Sequence, residues 1–128
     1  MEINKLAQEI HAVNVKNGFY DNPVEFGTSL MLVTSELAEA LEADRKGKHP
    51  NLFDFNQYIR SGFTREANTD TMASAFKRHV KDTVQDEIAD AIIRLLDISE
   101  HMGFDMEFHI RQKLEYNKTR EKMHGKKY

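Results

Sequence analysis

Ser35-Glu36-Leu37-Ala38-Glu39-Ala40-Leu41-Glu42 and Asp86-Glu87-Ile88-Ala89-Asp90-Ala91-Ile92-Ile93 are the stretches from which the rest of the chain is read. Each sets two carboxylates three residues apart, Glu36 with Glu39 and Glu87 with Asp90, among apolar neighbours. Positions i and i+3 share a helix face, so each stretch predicts a helix that presents an acidic pair. Two such helices side by side bring four carboxylates together, the outline of a divalent-cation site. Converging carboxylates repel by about 4 kcal/mol per pair at 4 Å and an effective dielectric near 20, so the cluster needs a proton or a cation to persist.

Working outward, Ile3, Leu6, Ala7, Ile10 and Val13 follow the 3.6 period and predict a helix over residues 2–17, stopped at Gly18. Asn22-Pro23-Val24-Glu25 reads as a helix start, with Asn22 as the cap, Pro23 in the first position and Glu25 reaching back. The second helix then runs to Lys46, before Gly47 and Pro50. Leu30, Val33, Leu37 and Leu41 are its expected buried line; Glu36 and Glu39 lie beside it, with Ala40 and Ala43 four residues on. Glu42 has Lys46 at i+4 and is assigned to a surface ion pair.

Residues 48–80 form a long connection, irregular over 48–70, with the aromatic group Phe53, Phe55, Tyr58 and Phe63 and one short helix expected over 55–60. A binding loop and a plain spacer packed on the core are both open readings. Met72, Phe76, Val80 and Val84 resume helical spacing after a cap at Thr69 or Asp70, continuing to Gly103 as one helix or as two with a bend near residue 80. From Ile88 to Ile98 this helix is apolar around most of its circumference, interrupted by Glu87, Asp90, Arg94 and Asp97, as expected of the central member of a bundle or of a dimer core. Asp105 caps a last helix with Met106, Ile110, Leu114 and Tyr116 inward, running to Glu121; residues 122–128 are a basic tail. With no strand-like alternation, the expectation is an all-α domain over residues 1–121, of four to five helices completed by self-association into a homodimer or a dimer of dimers.

At 128 residues, with 40% hydrophobic and 30% charged, the chain has the composition of one globular domain. The 21 acidic and 18 basic residues give a net charge of −3, which speaks against a nucleic-acid polymer as partner. With no cysteine, thiolate metal sites, disulfides and cysteine nucleophiles are excluded. Neither a signal-peptide pattern nor a run of about 20 apolar residues occurs, so the expectation is a cytoplasmic protein with no membrane partner. His11, His49, His79, His101, His109 and His124 lack ligand spacing to one another, and neither acidic pair carries the Glu-x-x-His of a di-iron bundle.

The plain alternative for Glu36, Glu39, Glu87 and Asp90 is the exposed face of two amphipathic helices. Against it, Glu87 and Asp90 interrupt an almost wholly apolar helix, and neither Glu36 nor Glu87 has a basic residue at i+4, although Asp90 has Arg94 there. Magnesium prefers oxygen ligands and leaves coordination positions for water and phosphate, which suits such a set; manganese is its natural substitute.

Glu36-x-x-Glu39, Glu87-x-x-Asp90 and, near the end, Lys113-x-x-x-Asn117-x-x-Arg120 together resemble the MazG-like all-α nucleoside triphosphate pyrophosphohydrolases, over residues 30–120. The resemblance implies hydrolysis of a nucleoside triphosphate to the monophosphate and pyrophosphate, a nucleotide-pool function, with Glu36, Glu39, Glu87 and Asp90 as magnesium ligands and catalytic residues. It implies substrate contacts to phosphate or sugar from Lys113, Asn117 and Arg120, which suits the chemistry of those side chains. The 48 positions from Glu39 to Glu87 exceed those of compact members of the family, leaving Phe53, Phe55 and Tyr58 open as base-stacking residues or as part of an oligomer contact.

Overall fold

A computed structural model of the chain describes residues 2–62 and 71–127, and these are helical with no strand among them. The order is α1 (Ile3–Lys16), α2 (Phe26–Arg45), α3 (Leu52–Arg60), α4 (Thr71–His79), α5 (Val84–His101) and α6 (Met106–Lys118), followed by a short 3₁₀ turn over Lys122–Gly125. Among the described residues there are thus six α-helices rather than four or five, because the expected connection over 48–80 carries two of them, α3 and α4. Phe63 and the expected cap at Thr69 or Asp70 lie outside the described residues. The chain divides into two compact units, Met1–Phe26 with Leu95–Tyr128, and Gly27–Arg94.

In the first unit α1 ends at Gly18, whose φ of +87° suits the left-handed position that follows a helix. The start of α2 falls at Phe26 and not at Pro23. Phe26 meets Phe104 edge-on with ring centroids 6.2 Å apart, a contact distant in sequence that local cap signals do not report. The N-termini of α1 and α6 satisfy each other: the Ile3 N–H donates to the Glu107 carboxylate at 3.1 Å, the Glu107 N–H to Asn4 Oδ1 at 3.0 Å, and the Asn4 amide to Asp105 at 2.7 Å. Asp105 caps α6 as expected, accepting from the Phe108 N–H at 3.0 Å. The expected inner face of α6 is not inside, since Leu114 and Tyr116 are exposed and the helix buries no residue.

Asp97, on α5, is the polar centre of this unit. Buried at 8% exposure, it accepts from His11 Nδ1 at 2.7 Å and from the Asn14 amide at 2.8 Å, and its charge acts on the Tyr20 hydroxyl. Burial and this carboxylate push the Tyr20 hydroxyl well above the ordinary phenol range. The Tyr20 ring meets His11 edge-on at a centroid distance of 4.6 Å and lies tilted by 31° against His101 at 4.5 Å.

In the second unit the inward stripe of α2 is Val33, Glu36, Ala40 and Ala43, whereas Leu37 and Leu41, expected inside, are half exposed. The stripe is rotated, with the small alanines Ala40 and Ala43 inside in place of the leucines. The expected burial of α5 is likewise incomplete within one chain: Ala91 is inside, but Ile88, Ile92 and Ile93 are exposed. Between α4 and α5 the chain breaks where Asp82 takes a φ of +60°. Thr83 then starts α5, donating through its hydroxyl to the Val80 carbonyl at 2.6 Å, while Asp86 accepts from the Asp82 N–H at 2.9 Å. Helices α3 and α4 pack on one another around the fully buried Ala75, with Tyr58 edge-on to His79 at 6.0 Å and beneath the Arg78 guanidinium at 5.3 Å.

Asp97→Ala strands the His11 and Asn14 donors at once and is expected to cost about 2–3 kcal/mol in urea unfolding, with Asp97→Asn losing less. A loss under about 0.5 kcal/mol in the alanine variant contradicts the role given to Asp97.

Candidate metal centre

Helix α2 carries Glu36 and Glu39 and helix α5 carries Glu87 and Asp90, all within the unit Gly27–Arg94. Ala40 and Ala43 from α2 and Ala91 from α5 keep the inner faces small, and the glutamates share those faces. Glu36, Glu39 and Glu87 each offer a carboxylate oxygen, and the three oxygens lie within 4.8 Å of one another. Glu36 and Glu87 are buried, at 8% and 6% exposure, and Glu39 opens to solvent. Asp90 is exposed and stands outside this trio, although its charge is felt at Glu87.

The two buried glutamates differ in their partners. Glu36 Oε1 accepts from Arg94 Nε at 2.6 Å, so Arg94 serves α2 and not Asp90, the residue one turn before it on its own helix. The sequence signal for this pair was the position of Arg94 seven residues beyond Glu87, on the same inward stripe of α5. Glu87 has no ion-pair or hydrogen-bond partner for its carboxylate among the described residues. Burial raises its pKa from 4.5 to about 7, with Glu39, Asp86, Glu36 and Asp90 adding repulsion. Burial, Asp86 and Glu36 also push Asp90 upward, against the opposing pull of Arg94.

The donor set fits a hard divalent cation. Magnesium bound at about 2.0–2.1 Å separates neighbouring oxygen ligands by about 2.9 Å and opposite ones by about 4.2 Å. Both spans fall inside the 4.8 Å of the trio. Glu36 keeps a second oxygen beyond the one given to Arg94. Asp82, Asp86 and Glu87 make another group of the same compactness, but Asp86 accepts from the Asp82 N–H at the start of α5, and Asp82 pairs with Lys81 at 2.7 Å. Glu42 pairs with Lys46 at 3.0 Å, on the surface as its spacing predicts.

Lys113, Asn117 and Arg120 belong to the other unit. Lys113 and Asn117 are on α6, whereas Arg120 follows the helix end; Lys113 and Arg120 nonetheless flank the exposed Tyr116 ring, at 5.3 and 5.6 Å from its centroid. Among the described residues Asn117 Oδ1 is buried without a hydrogen-bond partner.

Glu87 also fixes a sign for pH dependence. Its folded-state pKa of about 7 lies above its ordinary value of 4.5. Below the ordinary value both states carry the proton, and between the two values only the folded state holds it. The contribution of Glu87 to stability is therefore lost as pH rises through about 7. Metal-free Glu87→Gln is expected to gain on the wild type across this window, with a melting temperature higher by roughly 5 °C at pH 8. A difference between the two that does not change with pH contradicts the assignment.

No family model, no curated protein and no solved structure matches this chain.

Proposed function

We propose that the chain is a MazG-like, magnesium-dependent nucleoside triphosphate pyrophosphohydrolase that releases pyrophosphate and leaves the monophosphate. The observation that carries this reading is Glu87: a buried carboxylate without a partner among the described residues, held within 4.8 Å of two further carboxylates. A buried charge in that position is costly unless a cation or a proton offsets it.

Glu36, Glu39 and Glu87 would hold the metal, which when bound neutralises phosphate oxygens and favours the leaving pyrophosphate. Asp90, outside the trio, takes the proton of the attacking water. The water oxygen bonds to the α-phosphorus as the bond to the bridging oxygen breaks, and pyrophosphate departs with that electron pair. Lys113, Asn117 and Arg120 are assigned to the substrate by the resemblance, and the presentation of two cations around Tyr116 supports an anion as their ligand.

A homo-oligomer, dimeric or a dimer of dimers, is part of this proposal. The inward apolar residues are mostly alanines, while Leu37, Leu41, Ile88 and Ile92 remain 44–52% exposed. Apolar surface of that kind marks an interface. No helix among the described residues is long and apolar enough to cross a membrane.

The second reading is a non-catalytic helical module for binding nucleotide or protein, and the 2.6 Å pair of Glu36 with Arg94 favours it by giving Glu36 a structural partner.

The deciding assay is pyrophosphate release from a panel of ribo- and deoxynucleoside triphosphates with and without magnesium. Turnover that requires the metal and falls at least about 100-fold in Glu39→Gln and Asp90→Asn is expected. No turnover on any substrate sinks the enzyme reading. In a thermal melt, metal at 100 times its dissociation constant adds about 2.7 kcal/mol under the first reading and nothing under the second. Light scattering is expected to give a dimer or tetramer, dissociated by Leu37→Glu or Ile92→Glu; a monomeric wild type contradicts the oligomer.

A further inference from the structure

An open hollow of about 190 Å³ lies beside the acidic trio within the same unit. Its walls include Glu39 and Glu87 from the trio, the surface pair Glu42 and Lys46, and Asp82 and Lys48. Of the lysines near it, Lys46 is engaged with Glu42 at 3.0 Å and Lys81 with Asp82 at 2.7 Å. No ion pair holds the Lys48 ammonium among the described residues.

The backbone of Lys48 is fixed from both sides. Gly47 takes a φ of +64° directly after α2, and its N–H donates to the Asp44 carbonyl at 2.9 Å while the Lys48 N–H donates to the Ala43 carbonyl at 2.9 Å. This paired arrangement closes the α2 C-terminus, and the glycine is required because its backbone lies in the left-handed region. On the other side the Lys48 carbonyl accepts from the Val84 N–H, the first of α5, at 3.0 Å. Lys48 therefore joins the end of the helix that carries Glu36 and Glu39 to the start of the helix that carries Glu87.

We propose that Lys48 is a substrate-binding residue of the acidic site, its ammonium contacting the phosphate oxygens of a polyphosphate chain that enters the hollow bridged to the trio by a divalent cation. The inference rests on the metal reading of the trio. Carboxylates alone repel a polyphosphate, and a cation held by them offsets only part of the charge, so Lys48, which lines the hollow and whose charge otherwise acts on Asp82 without an ion pair among the described residues, supplies the complementary contact. Its flexible stem leaves the backbone hydrogen bonds untouched by substitution, which separates binding from folding. Lys48 escapes a reading by motif because it stands just past a helix stop, in a stretch that the sequence presents as the beginning of a connection.

The test is calorimetric binding of inorganic pyrophosphate in the presence of magnesium, which needs no turnover. Lys48→Met is expected to weaken binding about tenfold or more, Lys48→Arg to restore most of it, and manganese binding by the protein alone to stay unchanged in both variants. In the hydrolysis assay the loss in Lys48→Met is expected in KM more than in kcat. Equal pyrophosphate affinity in Lys48→Met and wild type overturns the inference even if the wild type hydrolyses nucleotides. A wild type that binds manganese but no pyrophosphate overturns it too, and the turnover assay then judges the enzyme reading separately.

Discussion

Burial of the Glu87 carboxylate among like charges is the constraint on which the second unit turns. A lone acid at 6% exposure, with Glu36 and Glu39 oxygens inside 4.8 Å, is not what a helix pair selects for packing alone. The surrounding sequence accommodates it: Ala40, Ala43 and Ala91 keep the facing surfaces small, and Arg94 offsets one of the two buried glutamates. The other is left without such an offset among the described residues, and that asymmetry is what supports the proposed cation site.

The same constraint accounts for where the large apolar side chains go. With carboxylates and alanines taking the inward stripe, Leu37, Leu41, Ile88 and Ile92 are left on outward faces. In the proposed oligomer these are the faces that self-association would bury. The first unit is organised differently, around Asp97 and its two donors, His11 and Asn14, and around the exchange of hydrogen bonds between the N-termini of α1 and α6.

The helical class was legible from the 3.6 periodicity, as were the ends of α1 and the Asp105 cap, because these are local signals. The inward stripe of α2 was not. Leu30, Val33, Leu37 and Leu41 form the more hydrophobic line, but Val33, Glu36, Ala40 and Ala43 form the one that permits close approach, and hydrophobicity alone cannot rank two adjacent stripes. The start of α2 falls at Phe26, whose ring meets Phe104, 78 residues away in sequence. For the acids, the spacing pointed to four converging carboxylates, Glu36, Glu39, Glu87 and Asp90, of which the first three come together, while the separation of Asp90 from them and the reach of Arg94 to Glu36 are tertiary facts. Lys48 carried no motif; its importance comes from the helix ends that meet at its backbone.

The central claim is that Glu36, Glu39 and Glu87 form a divalent-cation site, and the most direct measurement is proton release on adding magnesium to the protein in weakly buffered solution. Because Glu87 titrates at about 7, metal binding at pH 6 is expected to expel close to one proton per site, falling toward zero by pH 8.5 and absent in Glu87→Gln. Magnesium that binds without releasing a proton at pH 6, or that does not bind at all, contradicts the account.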